Sequence, residues 1–299
     1  MIFRGGADYN TIQNCTIEYT ALASASTAGG AYISFTNSTT GATTLASTVY
    51  NGRYNTIDKC LMRTTSSNSP GPTYAITDAG ASSIYSNTPS NNTFSNNTIQ
   101  NYYYMGMYNY YTNGDQFLNN DVSRANATTN NCNSIQYFMY SQYTYSTNRS
   151  TKFDGNNVHD IPFKGATSGM TSTVYGIYAY YNYGNATNNF EYSNNTMQNI
   201  LCNSTNYFMY GYYNYYANYN ANKVIKWQSL GTGYCYGFYM YYQYNDHKFT
   251  NNIIRDCFTK YYTYFIYSFY GDKKIFTGNK IVNNVTTDGS TAETYVYYI

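Results

Sequence analysis

Residues 94–99 read Phe94-Ser95-Asn96-Asn97-Thr98-Ile99, with an apolar residue at each end and a pair of asparagines in the middle. The same order of residue types (apolar, any, Asn or Gly, Asn, any, apolar) recurs along the chain. Other copies, some with substitutions, begin at Ile12, Ile57, Phe117, Phe153, Tyr192, Phe249 and Phe276. A degenerate copy is predicted at 225–230. A short unit that recurs about once per coil predicts a solenoid.

The spacing inside the unit predicts a turn. Its two apolar ends have four residues between them, so they would fall on opposite faces of one straight strand. Both face the interior if the third residue bends the chain, and Asn and Gly enter the left-handed region most cheaply.

The fourth residue of the unit then faces the interior. Stacked asparagines can hydrogen-bond from one coil to the next, which satisfies their buried amides. The predicted inward ladder consists of Asn97, Asn120, Asn156, Asn195, Asn252 and Asn279, with Cys15 and Cys60 in the same column. Stacked positions have parallel Cβ directions, which disfavours a disulfide between these two cysteines.

A tyrosine-rich motif lies between the asparagine units, for example Tyr175-Gly176-Ile177-Tyr178-Ala179-Tyr180. Alternation along a strand places Ile177 and Ala179 inside and the tyrosines outside. Because neighbouring strands lie about 4.8 Å apart, these side chains should stack into outward ladders. The residues predicted to form them are Tyr140, Tyr178, Tyr210, Tyr239 and Tyr267 in one ladder and Tyr180, Tyr212 and Tyr241 in a second.

The alternation of YGIY strands with NNTFSNNTIQN units resembles the parallel β-helix repeat of pectate-lyase-like and NosD-like proteins. The resemblance implies an all-β, right-handed, single-stranded parallel β-helix over residues 1–299, as a segment of a longer bacterial surface protein. Segments 21–50 and 64–90, rich in Ser, Thr, Gly and Ala, are expected to be longer loops or irregular coils. Such proteins include polysaccharide lyases, glycosidases, tailspikes and adhesins, so the resemblance says little about function.

Composition narrows the function. Only 10% of the 299 residues are charged and the net charge is +2, which does not favour nucleic-acid binding. No run of about 18 apolar residues occurs, so no direct membrane insertion is expected. The six cysteines show no spacing typical of a zinc site, and neither a metal nor a cofactor is expected.

Candidate catalytic groups are sparse. His159-Asp160 and Arg255-Asp256 follow asparagine units in equivalent columns, three coils or about 14 Å apart, which is too far for them to act on one bond. They are interpreted as solvated turn residues, and no catalytic residue is predicted. Asp115, Asp246 and Asp272 precede units and are interpreted as turn caps. Glu18 and Arg63 are expected to form a surface ion pair.

The leading hypothesis is a non-catalytic, exported, adhesin-like module that binds a glycan or a cell-surface protein through its tyrosine ladders. A purely structural role for the ladders, and self-association through them, stay open. Two further alternatives are a polysaccharide lyase or glycoside hydrolase, and a trimeric phage-type spike or self-assembling fibre.

Overall fold

A computed structural model describes residues 1–4, 7–20, 30–36, 52–66, 71–80, 90–125, 127–128, 135–286 and 293–298. The described chain is built from short β-strands and contains no α-helix. The strands are β1 (Ile2–Arg4), β2 (Thr11–Gln13), β3 (Thr16–Tyr19), β4 (Ala31–Thr36), β5 (Thr56–Asp58), β6 (Leu61–Thr64), β7 (Tyr74–Ala79), β8 (Thr93–Ser95), β9 (Thr98–Gln100), β10 (Met105–Tyr110), β11 (Gln116–Leu118), β12 (Asp121–Ser123), β13 (Gln136–Gln142), β14 (Lys152–Asp154), β15 (Asn157–Ile161), β16 (Val174–Tyr180), β17 (Phe190–Ser193), β18 (Thr196–Cys202), β19 (Asn206–Tyr215), β20 (Ala217–Asn220), β21 (Lys223–Ser229), β22 (Cys235–Tyr244), β23 (His247–Thr250), β24 (Ile253–Arg255), β25 (Phe258–Thr259), β26 (Thr263–Gly271), β27 (Lys274–Thr277), β28 (Lys280–Val282), β29 (Val285–Thr286) and β30 (Thr294–Tyr298).

These strands form three parallel sheets, and each coil contributes one strand to each sheet in turn. Sheet A is β1-β4-β7-β10-β13-β16-β19-β22-β26-β30, and sheet B is β2-β5-β8-β11-β14-β17-β20-β23-β27. Sheet C runs from β3 to β28 through β6, β9, β12, β15, β18, β21 and β24, with β25 pairing β21 and β29. Each strand pairs with its counterpart one coil away. The predicted all-β parallel β-helix is confirmed.

The corner between sheets B and C lies in the asparagine unit, at the residue predicted to turn the chain. Asn96, Asn119 and Asn194 have φ of 55°, 53° and 54°. Gly155 and Gly278 occupy the same column with φ of 70° and 68°. A single left-handed residue therefore makes the bend, and Asn and Gly adopt that conformation at the least cost.

The fourth residue of each unit forms the predicted inward ladder. The Oδ1 of Asn195 accepts hydrogen bonds from both the backbone N and the Nδ2 of Asn156, each at 3.0 Å. Asn156 Nδ2 also donates to the carbonyl of Phe117 at 2.9 Å. The same bonds link Asn97, Asn120, Asn156, Asn195, Asn222, Asn252 and Asn279. Each coil is thereby held in register with the next.

The two cysteines of this column are free thiols. Cys60 is buried, and its backbone N donates to Asn97 Oδ1 at 3.0 Å, so it continues the asparagine ladder by one coil. Cys15 lies in the next coil and is exposed.

One predicted copy of the unit is wrong. The unit lies at Tyr219-Asn220-Ala221-Asn222-Lys223-Val224, where Tyr219 pairs with Tyr192 and Val224 with Met197. The predicted copy at 225–230 instead lies along β21. The true copy has Ala221 in the left-handed position, with φ of 54°, so the Asn or Gly expected at the turn is missing.

A second ladder begins sheet B. The backbone N of Asn10 donates to Asn55 Oδ1 in the next coil, and that of Asn55 donates to Asn92 Oδ1. The backbone N of Asn92 in turn donates to Asp115 Oδ1 at 2.8 Å. Asp115 is fully buried, and this burial raises the pKa of its carboxyl group. It is therefore an interior ladder residue and not the turn cap that was predicted.

Two strands lie inside the segments expected to be longer loops or irregular coils. The 21–50 segment contains β4 and the 64–90 segment contains β7, and both strands pair in register in sheet A. Residues 21–29, 37–51, 67–70 and 81–89 lie outside the described residues. Each segment therefore contributes a regular strand to its coil.

An aromatic stack fills the interior behind sheet B. Its rings are Phe94, Phe117, Phe153, Tyr192, Tyr219, Phe249 and Phe276, with neighbouring centroids 4.6–5.6 Å apart. Tyr192 Oη accepts a hydrogen bond from Asn182 Nδ2 at 3.2 Å. Tyr219 Oη is buried and has no hydrogen-bond partner among the described residues. The two hydroxyls should therefore affect stability in opposite directions.

Replacing each tyrosine with phenylalanine, which already occupies neighbouring positions of the stack, tests this difference. Tyr219→Phe removes an unsatisfied buried hydroxyl and should raise the free energy of unfolding by about 1 kcal/mol or more. Tyr192→Phe removes a hydrogen bond and should lower it by about 1 kcal/mol. Urea unfolding followed by circular dichroism measures both, and equal destabilisation by the two changes would contradict the assignment.

Candidate functional site: the tyrosine face

The outer surface of sheet A carries five parallel rows of aromatic side chains, which together we call the tyrosine face. Row one is Tyr137, Tyr175, Tyr207, Tyr236, Tyr264 and Tyr295, and row two is Tyr108, Tyr140, Tyr178, Tyr210, Tyr239 and Tyr267. Row three is Tyr110, Gln142, Tyr180, Tyr212, Tyr241 and Phe269. Row four is Tyr111, Tyr143, Tyr181, Tyr213, Tyr242 and Tyr270, and row five is Tyr145, Tyr183, Tyr215 and Tyr244.

The eight tyrosines selected from the sequence all lie in rows two and three. In row two the rings of Tyr178 and Tyr210 lie 5.0 Å apart with an angle of 3° between their planes. In row three Tyr212 and Tyr241 are 5.6 Å apart at 1°. Ring faces along each row therefore cover one another, as predicted for ladders. Tyr140 is the most buried of the eight, with 8% of its surface exposed.

Rows one, four and five were missed by the sequence interpretation. Row one is out of phase with simple alternation because Phe138 and Met139 are consecutive and both buried. Tyr137 and Tyr140 consequently lie on the same outer surface, with their rings perpendicular and 5.1 Å apart. The repeated Tyr-x-x-Tyr spacing, as in Tyr175 to Tyr178, was the available signal for this row.

Row four lies where the chain of sheet A bends, directly after β10, β13 and β16 and within β19, β22 and β26. All six of its tyrosines have left-handed backbones: φ is 50° at Tyr111, 52° at Tyr143, 51° at Tyr181 and Tyr213, 48° at Tyr242 and 49° at Tyr270. This conformation costs a residue with a side chain roughly 1–2 kcal/mol. The equivalent turn between sheets B and C uses mostly Asn and Gly, so bending the chain does not require tyrosine.

No residue in the five rows of the tyrosine face has a charged side chain, and Glu293, which accepts a hydrogen bond from Tyr295, lies beside one end of row one. Tyr, Phe and Gln are the only residue types in the five rows. Desolvation raises the pKa of Tyr183 to about 12, with the neighbouring hydroxyls of Tyr145 and Tyr215 adding to the shift. Burial likewise raises the pKa of Tyr178 and Tyr210. These phenols are therefore neutral donors and acceptors at physiological pH.

A histidine–carboxylate cluster lies on the outer surface of sheet C. His159 Nε2 lies 3.1 Å from Asp121 Oδ1 in the preceding coil, and its Nδ1 lies 2.8 Å from Asp160 Oδ2. Hydrogen bonding to Asp121 raises the pKa of His159 to about 9, with burial opposing the shift. At neutral pH the ring is an imidazolium ion between two carboxylates, not the solvated turn residue that was predicted.

A groove of about 310 Å³ lies beside this cluster. Asp160, Asn199 and Lys226, from three successive coils, line part of it, together with Phe163, Gly165 and Ala166. Asn199 Nδ2 donates to Asp160 Oδ1 at 3.3 Å, so both oxygens of this carboxylate have partners within the protein.

The other charged residues singled out from the sequence lie apart from the groove. Asp256 is in the same column as Asp160 but three coils away, as predicted, and pairs with Arg255 at 2.5 Å. The predicted Glu18–Arg63 pair is confirmed at 2.6 Å. Asp272 Oδ2 accepts a hydrogen bond from Asn245 N at 2.8 Å, which is turn chemistry.

Among the described residues, no group of three or more His, Cys, Asp and Glu side chains is arranged to hold a metal ion. No helix long and apolar enough to cross a bilayer occurs in the same part of the chain. Comparison with family models, curated proteins and solved structures finds no match to this chain.

The His159 cluster should make stability depend on pH. The pKa of His159 is raised from 6.5 to about 9 on folding, so its stabilising effect is complete below pH 6.5 and is lost as pH rises through 9. His159→Gln keeps a hydrogen-bonding side chain and removes the titration. Melting temperatures measured across this interval should fall more steeply for the wild type than for the variant. Equal slopes would show that the imidazolium ion does not stabilise the fold.

Proposed function

We propose that this protein is a non-catalytic, adhesin-like module that acts outside the cell or on its surface and binds a glycan or protein partner through the tyrosine face. The observation that carries the proposal is row four, where six tyrosines occupy left-handed positions. The extracellular location rests on the resemblance to β-helices of surface proteins.

The energetics of row four favour a role beyond folding. An aromatic pair contributes about 0.5–1.5 kcal/mol, while each left-handed tyrosine costs roughly 1–2 kcal/mol. Stacking therefore does little more than offset the backbone cost, and Asn at the same positions would adopt the conformation with less strain. A side chain kept at such a cost is typical of a functional surface.

The composition of the face also favours binding. Tyrosine gives a large, rigid contact area with a polar tip, and it is enriched at binding interfaces, whose centres are depleted in charge. Row four is partly exposed, with Tyr270 at 56%. An ordered, uncharged aromatic surface of this size meets a partner without first losing much side-chain entropy.

A second candidate, a polysaccharide hydrolase or lyase, is favoured by one observation. Asp121 and Asp160 are brought together on His159 at the edge of the sheet C groove. A glycosidase needs room for a glycosidic bond between two carboxyl groups. Here the imidazole fills that space and uses both of its nitrogens, so the arrangement supports structure better than catalysis. Release of reducing sugar by the wild type, and its loss in His159→Gln, would establish this alternative.

The proposal predicts that binding and stability can be separated. The test is a triple variant, Tyr181→Asn, Tyr213→Asn and Tyr242→Asn. It loses the stacking of three row four rings, but asparagine adopts the left-handed backbone with less strain. Its free energy of unfolding should change by less than about 1 kcal/mol per site. Its affinity for the partner, measured on arrays of purified glycans and surface proteins, should fall about tenfold or more.

The matched control is Asn119→Gly, Asn194→Gly and Asn251→Gly at the corner between sheets B and C, where Gly155 and Gly278 already occur. This control should keep full affinity. Unchanged binding by the tyrosine variant would refute the proposed site, and turnover of any bound glycan would refute the non-catalytic assignment.

A further inference from the structure

In the middle of the tyrosine face, the faces of the row two rings are not available to a ligand. Along row two, successive rings from Tyr140 to Tyr267 are stacked with centroids 4.8–5.2 Å apart and planes within 11° of parallel. A sugar therefore cannot lie flat on a ring, as it does on an isolated aromatic residue. What the rows display to solvent is ring edges and phenolic hydroxyls.

Four hydroxyls in the middle of rows two and three are available for hydrogen bonding. Tyr178, Tyr180, Tyr210 and Tyr212 make no side-chain hydrogen bond to the described part of the chain, and none of their hydroxyls is among the buried atoms that lack a partner. Each can donate one hydrogen bond and accept others. Rows two and three thus present donors and acceptors in lines parallel to the solenoid axis.

The spacing along those lines is fixed by the backbone. Equivalent residues recur once per coil, at the strand separation of about 4.8 Å. A partner that contacts every coil must carry neutral polar groups at nearly the same interval. In an extended, β-linked sugar chain, each sugar advances the chain by a similar distance and carries hydroxyls.

The absence of charged side chains in the five rows disfavours a charged polymer as the partner. With no charged side chain in the five rows, an acidic or basic polymer would lose hydration on binding without gaining a counter-charge. A second copy of this chain would place hydroxyl tips against hydroxyl tips, without the apolar core that stable interfaces have. A neutral polysaccharide matches the surface better than either.

We propose that the tyrosine face binds a neutral, linear, extended polysaccharide laid along the solenoid axis, with one sugar per coil. This inference rests on the proposed function and specifies its ligand class. Binding then consists of many weak, equivalent hydrogen bonds, so affinity depends on the length of the chain.

The proposed match of one sugar to one coil is tested by titration calorimetry. The ligands are β-1,4-linked gluco-, manno- and chito-oligosaccharides, from dimer to octamer. Affinity for at least one series should increase with every sugar and level off once the oligomer spans the stacked rows. Polygalacturonate should bind at least about tenfold more weakly than the neutral polymer. Affinity independent of length, or equal affinity for polygalacturonate, would overturn the inference.

The hydroxyl requirement is tested by the double variant Tyr180→Phe and Tyr212→Phe in row three, which removes two of the available hydroxyls. Phe269 already occupies row three and stacks on Tyr241 at 5.8 Å, so the variant keeps the row intact. Affinity for the best oligosaccharide should fall about tenfold or more, with the melting temperature unchanged. Tyr219→Phe, the same change inside the protein, is the control and should bind as the wild type does.

Two outcomes separate this inference from the proposed function. If no neutral oligosaccharide binds but a surface protein does, and Tyr181→Asn, Tyr213→Asn and Tyr242→Asn abolish that binding, the polysaccharide inference fails and the binding module stands. If light scattering shows a dimer that the row three variant dissociates, the occupant of the face is a second copy and the inference also fails.

Discussion

An asparagine side chain held between two coils, with its full hydrogen-bonding capacity used, is the interaction on which the rest of this β-helix depends. Asn156 Oδ1 accepts two hydrogen bonds from Asn120, and its Nδ2 donates to Asn195 Oδ1 and to the Phe117 carbonyl. A buried amide left unsatisfied would cost about 1–3 kcal/mol, so each asparagine is stable in the interior only if its neighbours are in register. The asparagine ladder therefore fixes the register in which successive coils stack.

Exact stacking has consequences on the outside of the molecule. Because coils are locked in register, any residue type repeated once per coil must form a row. Tyrosine repeated at five positions on sheet A forms five rows of mostly stacked rings, and mainly their edges and hydroxyls are left for solvent or a partner. The interior ladder and the outer face are thus two results of one constraint. They differ in that the inner residues are required by burial, while the left-handed tyrosines of row four are not required by the turn.

The interior was largely predictable from the sequence because its rules are local. The third residue of the unit needs a left-handed backbone, which the residue type of Asn96 indicates. The fourth needs a hydrogen-bonding partner, which the residue type of Asn97 indicates. The copy of the unit at 219–224 was not recognised in the sequence because its left-handed position is occupied by Ala221 and not by Asn or Gly. Asp115 was misread because a buried aspartate in a ladder and a capping aspartate occupy the same place before a strand.

The outer surface was less predictable because it depends on contacts between coils. Row one requires two consecutive inward residues, Phe138 and Met139, which breaks the alternation used to assign faces. Row four requires tyrosine in a conformation that the residue disfavours. The link from His159 to Asp121 joins adjacent coils across 38 positions of sequence, and no local pattern announces it.

Site-resolved hydrogen exchange of the ladder amides tests the central claim most directly. The backbone N–H groups of Asn97, Asn120, Asn156, Asn195 and Asn222 each donate to an asparagine Oδ1 of the next coil. If that interaction holds the coils together, these amides should exchange only through global unfolding, with one shared opening free energy. The amide of Thr187, bonded only within an exposed turn, should exchange far faster. Ladder amides that exchange as fast as Thr187 would contradict the account.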